Sequence, residues 1–300
     1  MSIQAVTGSK QAIRLSPGGW RWLAIALVAI IDAALLASTG TSLSGTFLMS
    51  YGEALGAWGA LTLLYGLLGH NPRLAAMTEI VMQASLFSVL SAVFSYLVLA
   101  FRAPLMDAQF TALDAMLGLD WMGWFHWVDG HRSLRSLLIL AYDSLPLQIG
   151  VCILFLPWMG RQRYLSELLS AAIAALLVII PVWAFLPALG SWVQFGVGVA
   201  EAEWLPDVLA MRAGTMPVLG EHAFHGVIVL PSFHTVLAML LVHAMRWNPL
   251  ALTVSAVLNA LVLLSVPSVG SHYFVDVIAG VPVGLLAIAV ARRIESSGAP

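Results

Sequence analysis

Apolar runs as long as a bilayer is thick recur along this chain, and they leave few folds open to it. A spanning helix needs roughly 20 mostly apolar residues. The segments 20–38, 47–69, 78–100, 136–158, 165–187, 227–246, 249–266 and 273–291 approach that length. The second is the weakest, because it holds Glu53 and several glycines. Only 9% of the 300 residues are charged, against about 25% in an ordinary soluble domain. So little charge cannot coat a water-facing globule, whereas hydrocarbon asks for apolar side chains. The expected fold class is all-α, a polytopic transmembrane helix bundle of about eight spans.

The basic residues give this bundle a direction. With the N-terminus in the cytoplasm, the inner ends carry Lys10, Arg14, Arg21, Arg73, Arg161, Arg163, Arg246, Arg292 and Arg293. The outer ends carry only Arg102, Arg132, Arg135 and Arg212. Basic residues concentrated at alternate ends are the positive-inside pattern, so both termini are expected in the cytoplasm. The outer loops hold most of the acids, among them Asp107, Asp114, Asp120, Asp129, Glu201, Glu203, Asp207 and Glu221. Acids weigh little in orientation. The basic N-terminal stretch runs into an apolar segment without a clear cleavage site, which fits a first spanning helix better than a signal peptide. No organellar signal is evident, so a bacterial inner membrane is the expected location.

A net charge of −2 gives no reason to expect a nucleic-acid partner. Lys10 is the only lysine, so any phosphate site must draw on arginine, histidine or backbone amides. The single cysteine, Cys152, lies in an apolar run and allows neither an internal disulfide nor a thiolate cluster. Two outer loops are long, about 101–135 and 188–226. The first carries Trp121, Trp124 and Trp127, whose spacing puts them on one helix face. An interfacial helix at headgroup level is expected there, with a lid or lipid-entry surface as the functional alternative.

Two histidine motifs carry the chemistry. His234 follows Pro231-Ser232-Phe233 near the outer end of its span. Proline suits a helix start and Ser232 can cap it, so free N–H groups and the positive end of the helix dipole should stand beside His234. His272 and Asp276 are four apart at the start of the last span. On one helical face, the carboxylate can accept the imidazole N–H, fix its tautomer and leave the other nitrogen as a nucleophile or general base. Gly270 and Ser271 allow close backbone approach here. A lone membrane histidine usually hydrogen-bonds between helices. Two at helix starts, one backed by a carboxylate and both at one membrane face, point to catalysis, because ionisable residues at membrane depth are costly. A His–His–Asp zinc site is the other alternative, but no compact ligand motif supports it. No metal and no cofactor is expected.

The motifs Pro231-Ser232-Phe233-His234-Thr235 and Gly270-Ser271-His272-Tyr273-Phe274-Val275-Asp276, with Ser265 upstream, resemble the type 2 phosphatidic acid phosphatase superfamily of membrane lipid phosphatases and phosphotransferases. The wording is nearer the branch containing inositolphosphorylceramide synthase. The likeness covers about 78–300 and implies a six-helix core there, with residues 1–77 as a tail and an extra helical pair. By resemblance, His272 attacks phosphorus, Asp276 orients it, and His234 protonates the leaving oxygen and then activates water or an alcohol. The resemblance implies a phospholipid or lipid-phosphate substrate and no metal.

The departures from the family pattern concern cations. Phe233 replaces a glycine, Val266 stands where the third motif has an arginine, and the first motif's lysine and arginine are missing around Pro187-Ala188-Leu189-Gly190. Arg212 is the expected substitute, since arginine forks onto phosphate, and Arg132 and Arg135 are weaker candidates. Ser232, Ser271 and Asp143 complete the expected substrate-binding set. Asp143 would orient a histidine or arginine, or cap its helix. A transporter or flippase is the alternative from another class. Transporter sites tend to lie near the midplane, where only Asp32 and Glu53 are found, and helix-packing hydrogen bonds are the expected role of those two. A catalytically inactive relative is the third reading.

Overall fold

The computed structural model describes residues 16–68, 72–220 and 226–297. Lys10, Arg14 and Glu221 lie outside them. Twelve α-helices dominate the described residues. α1 (Pro17–Thr39) starts at Ser16, whose side chain accepts the Gly19 N–H at 3.1 Å, and ends at Gly40 in the left-handed conformation. Proline inside the first turn and glycine past the last are the favoured helix stops. α2 (Gly45–Leu68) and α3 (Pro72–Leu97) follow, and α1 and α2 both pack on α3. One parallel strand pair, Ser42–Leu43 with Val218–Leu219, ties the α1–α2 turn to a later loop.

Two short helices, α4 (Asp107–Met116) and α5 (Trp121–Gly130), precede α6 (Arg132–Trp158) and α7 (Gln162–Phe185). α8 (Ser191–Phe195) and α9 (Leu205–Ala213) are short again. α10 (Phe233–Ala244), α11 (Pro249–Val269) and α12 (Phe274–Ser297) complete the bundle. α7 is the central post. Its Ile173, Ile179, Ile180 and Trp183 are fully buried, and α3, α10 and α12 pack around it.

Six helices are long and apolar enough to cross a membrane, namely α1, α3 with its 3₁₀ extension to Phe101, α6, α7, α11 and α12. The chain is an all-α integral membrane bundle. All of the expected spans contain a helix, but two fall short of crossing alone. α2 has the length, yet Glu53 and five glycines dilute its apolarity. α10 has 12 residues, a rise of only about 18 Å, because residues 227–232, expected within that span, are not helical.

Two devices bring the helix ends together. Gly280 and Gly284 let α12 lie close on α10. A Cβ at Gly280 would stand 2.8 Å from the Ser232 carbonyl oxygen, and one at Gly284 2.8 Å from Met239 Sδ. Small residues at a helix contact permit such approach where no hydrophobic effect drives association. At the far end, Arg21 of α1 donates to Gln83 (2.6 Å), Ser166 (2.7 Å), Ser170 (3.1 Å) and Glu295 (3.3 Å). One guanidinium thus joins α1, α3, α7 and α12. Asp32 differs from expectation. It is buried in α1, and neither carboxylate oxygen has a hydrogen-bond partner among the described residues.

Candidate active site

The starts of α10 and α12 meet. Ser232 caps α10 by accepting the Thr235 N–H at 3.3 Å, while its own N–H donates to the Asp276 carbonyl at 3.0 Å. Pro231 precedes that cap instead of sitting in the first turn. These contacts place His234 beside His272. His234 Nδ1 is 3.4 Å from His272 Nε2, and His234 Nε2 is 2.9 Å from the Tyr142 hydroxyl. His272 Nδ1 is 3.3 Å from Asp276 Oδ2. Asp276 is fully buried and His272 nearly so.

One proton arrangement satisfies this row. In it the Nδ1–H of His272 would donate to Asp276 and its Nε2 would hold the lone pair, while Tyr142, whose hydroxyl both donates and accepts, serves His234 whether neutral or charged. His272 and Asp276 do meet, but not as two residues on one helical face. α12 begins at Phe274, and His272 lies just outside it. The carboxylate reaches back across the helix start and also accepts the Tyr273 N–H at 2.7 Å. Ser271, at φ 57°, turns the chain into this position. Its carbonyl accepts the Ser191 N–H at 3.0 Å and its Oγ the Trp192 N–H at 3.1 Å. Gly190, at φ 86°, is the only residue type that fits beside it, since a Cβ there would stand 2.6 Å from the Ser271 carbonyl oxygen.

Two acids of α4 hold this turn from outside. The Asp107 carboxylate accepts the backbone N–H groups of Leu189 and Gly190 and the Tyr273 hydroxyl, at 2.8–2.9 Å. Asp114 accepts the N–H groups of Phe274 (2.9 Å) and Val275 (2.8 Å). It therefore satisfies two of the free donors that open α12. Burial raises the Asp114 carboxyl above the usual carboxylate range, and the two N–H bonds pull it back. Trp121 adds a fourth tie, its indole N–H donating to the His272 carbonyl at 2.9 Å while its ring stacks between Phe125 and Phe195. The expected row of headgroup-level tryptophans is thus divided. Trp121 is buried against the turn that carries His272, and Trp127 is half exposed.

Two cavities flank His234 and Tyr142. One of about 320 Å³ reaches His272, Ser271 and Gly270 and is walled by Trp192, Trp204, Glu201 and Glu203. The other, about 450 Å³ and mostly apolar, runs between α3, α6 and α10 past Ser91, Asp143, Ile149, Phe233 and Leu237. Asp143 therefore faces the second cavity from within α6 and caps nothing. Ser271 lines the first, and Ser232 is buried as a cap. Arg212 lines neither. Its Nη2 donates to the Ala103 carbonyl at 2.9 Å, Nη1 has no partner among the described residues, and burial lowers its pKa against the opposing pull of Asp107. Arg135 pairs with Asp129 at 3.3 Å and lines a neighbouring cavity with Trp192 and Glu201. No arginine or lysine among the described residues walls the histidine cavity. Val266 is wholly buried. No three His, Cys, Asp or Glu side chains among the described residues converge as metal ligands.

Two histidines and an aspartate thus meet at the adjoining starts of two helices in a membrane bundle. A family model described as PAP2 superfamily matches residues 108–290, and the chain belongs to that superfamily. No curated protein and no solved structure matches it. Membership supports phosphatase-type activity on lipid phosphates in general. Tyr142, Trp121, Asp107 and Asp114 are the site residues the sequence reading passed over. The only written signal is that Asp107, Phe110 and Asp114 share one face of a short helix.

Proposed function

We propose that this protein is a lipid phosphatase or phospho-head-group transferase that works through a phosphohistidine on His272 at the outer membrane face. The observation that carries the reading is the aligned row Asp276–His272–His234–Tyr142. Nε2 of His272 attacks phosphorus, and the bond from phosphorus to the leaving oxygen breaks. His234, as the imidazolium, gives that oxygen its Nδ1 proton. Water or an alcohol then loses its proton to His234 and attacks phosphorus, and the P–N bond breaks. Asp276 balances the charge that develops on His272. Arg212 stands behind this site, next to Asp107, and on this reading steadies the turn instead of gripping phosphate.

The lining favours a particular substrate shape. Two glutamates and two tryptophans suit a head group carrying positive charge, since carboxylates and aromatic faces both attract cations. The apolar cavity on the other side of His234 suits an acyl chain. Transfer of a phospho-head group to an alcohol fits this lining better than hydrolysis of a bare phosphate dianion.

The test is to incubate purified protein with lipid phosphates and phospho-head-group donors, with and without alcohol acceptors. His272→Ala should abolish turnover, and a labelled phosphoryl group should be trapped on His272 of the unaltered protein. Near-normal turnover in the purified variant would sink the mechanism. Proton-coupled uptake without head-group chemistry would favour the transporter alternative.

A further inference from the structure

A second polar cavity lies at the other end of the bundle and plays no part in the chemistry above. It measures about 470 Å³ and gathers Arg163 from the start of α7, Arg246 from the turn after α10, and Arg292 and Arg293 from the end of α12. Its volume lies within the roughly 300–1,000 Å³ typical of small-ligand sites. Arg292 is 18 positions beyond Phe274 on the same helix, a rise of about 27 Å. The cavity is therefore about one hydrocarbon thickness from His272.

The positive-inside rule accounts for arginines at these helix ends, but not for their convergence on one hollow. Three separate elements supply them. Glu167, the one acid in the lining, is buried and fully engaged. His243 Nε2 meets its Oε1 at 2.8 Å, and Arg246 donates to its Oε2. Arg246 also lies over the Tyr164 ring, 4.5 Å from its centroid, so its orientation is set from two sides. Arg163 and Arg292 form no hydrogen bond or ion pair with the described residues. Arg246 is engaged by the one acid, and Arg163 and Arg292 leave a surplus of positive charge in a cavity whose polar framework is already built.

We propose that this cavity binds a phosphate-bearing anionic head group, supplied by a lipid of the leaflet facing it. Basic hollows between spanning helices on the cytoplasmic side take such head groups, and the orientation proposed above puts this one there. Arg246, fixed by Glu167 and Tyr164, presents one donor edge. Arg163 and Arg292 close on the phosphate from α7 and α12, so an occupant cross-links the pair of helices that packs together most extensively.

The test uses the full chain in nanodiscs of phosphatidylcholine doped with a fluorescent phosphatidylglycerol. The unaltered protein should prefer the anionic probe over a phosphatidylcholine probe. The double variant Arg163→Gln, Arg292→Gln should bind the anionic probe about 25-fold more weakly, roughly fivefold for each charge lost near a membrane surface. Millimolar inorganic phosphate that fails to displace the probe assigns the site to the lipid. Displacement assigns it to phosphate in solution and overturns the lipid source. An unaltered protein with no preference between the two probes overturns the proposal without recourse to any variant. So does a folded double variant that binds like the unaltered protein.

Discussion

Replacing Asp114 with asparagine tests whether a helix outside the bundle governs the turn that carries His272. The carboxylate accepts two adjacent backbone N–H groups at the start of α12, at 2.9 and 2.8 Å. Asparagine offers one acceptor oxygen and turns its NH₂ toward the second donor. One bond is lost and one buried N–H is left unpaired, which costs about 1–3 kcal/mol. Removing a negative charge from a helix N-terminus adds about 0.3–1 kcal/mol. The sum, about 1.3–4 kcal/mol, corresponds to roughly 10- to 1,000-fold in rate if it falls wholly on the transition state. His272 is two residues upstream of Phe274, so the expected result is a fall in kcat with KM little changed. Steady-state kinetics on a short-chain substrate would be paired with thermal unfolding in detergent, to separate activity from stability. Asp114→Glu keeps the charge and should recover part of the loss. Unaltered kcat and unfolding temperature in Asp114→Asn would refute the idea that α4 positions His272.

Tyr142→Phe removes the 2.9 Å hydrogen bond to His234. A bond to a charged partner is worth about 1.5–3 kcal/mol, so kcat should drop by roughly 10- to 150-fold. A rate near that of the unaltered protein would take Tyr142 out of the proton path. Gly190→Ala places a methyl 2.6 Å from the Ser271 carbonyl oxygen at a φ of 86°. Backbone strain of about 1–3 kcal/mol is expected, seen as a lower unfolding temperature together with lower activity. An alanine variant as stable as the unaltered chain would show that this contact is not tight.

The helical skeleton was legible because apolar length is written residue by residue. Where two spans fell short, the reason is also local: glycines and Glu53 in α2, and the Pro231-Ser232 start that shortens α10. His234, His272 and Asp276 were legible because spacing along one chain places them at helix starts. Their partners were not. Tyr142 meets His234 across 92 positions, and Asp107 and Asp114 reach α12 across about 160. An acid in a loop looks the same in sequence whether it faces water or caps a distant helix. Arg212 shows the converse. Its residue type suits phosphate, yet its position is fixed by the Ala103 carbonyl, which no pattern announces.

Asp107 and Asp114 also set a timetable. Both belong to a helix made early, and both close on groups made later: Asp107 on the Leu189 and Gly190 N–H groups and the Tyr273 hydroxyl, Asp114 on the Phe274 and Val275 N–H groups. Until the last helix has emerged, Asp114 lacks both of its partners and Asp107 has only the 189–190 turn. The turn bearing His272 is itself part of that final stretch, and the acids that hold it wait through the synthesis of seven intervening helices, α5 to α11. A chain released before α12 thus carries half of a clasp and lacks His272. On the proposed mechanism, reactive capacity arises only in a molecule whose insertion is complete.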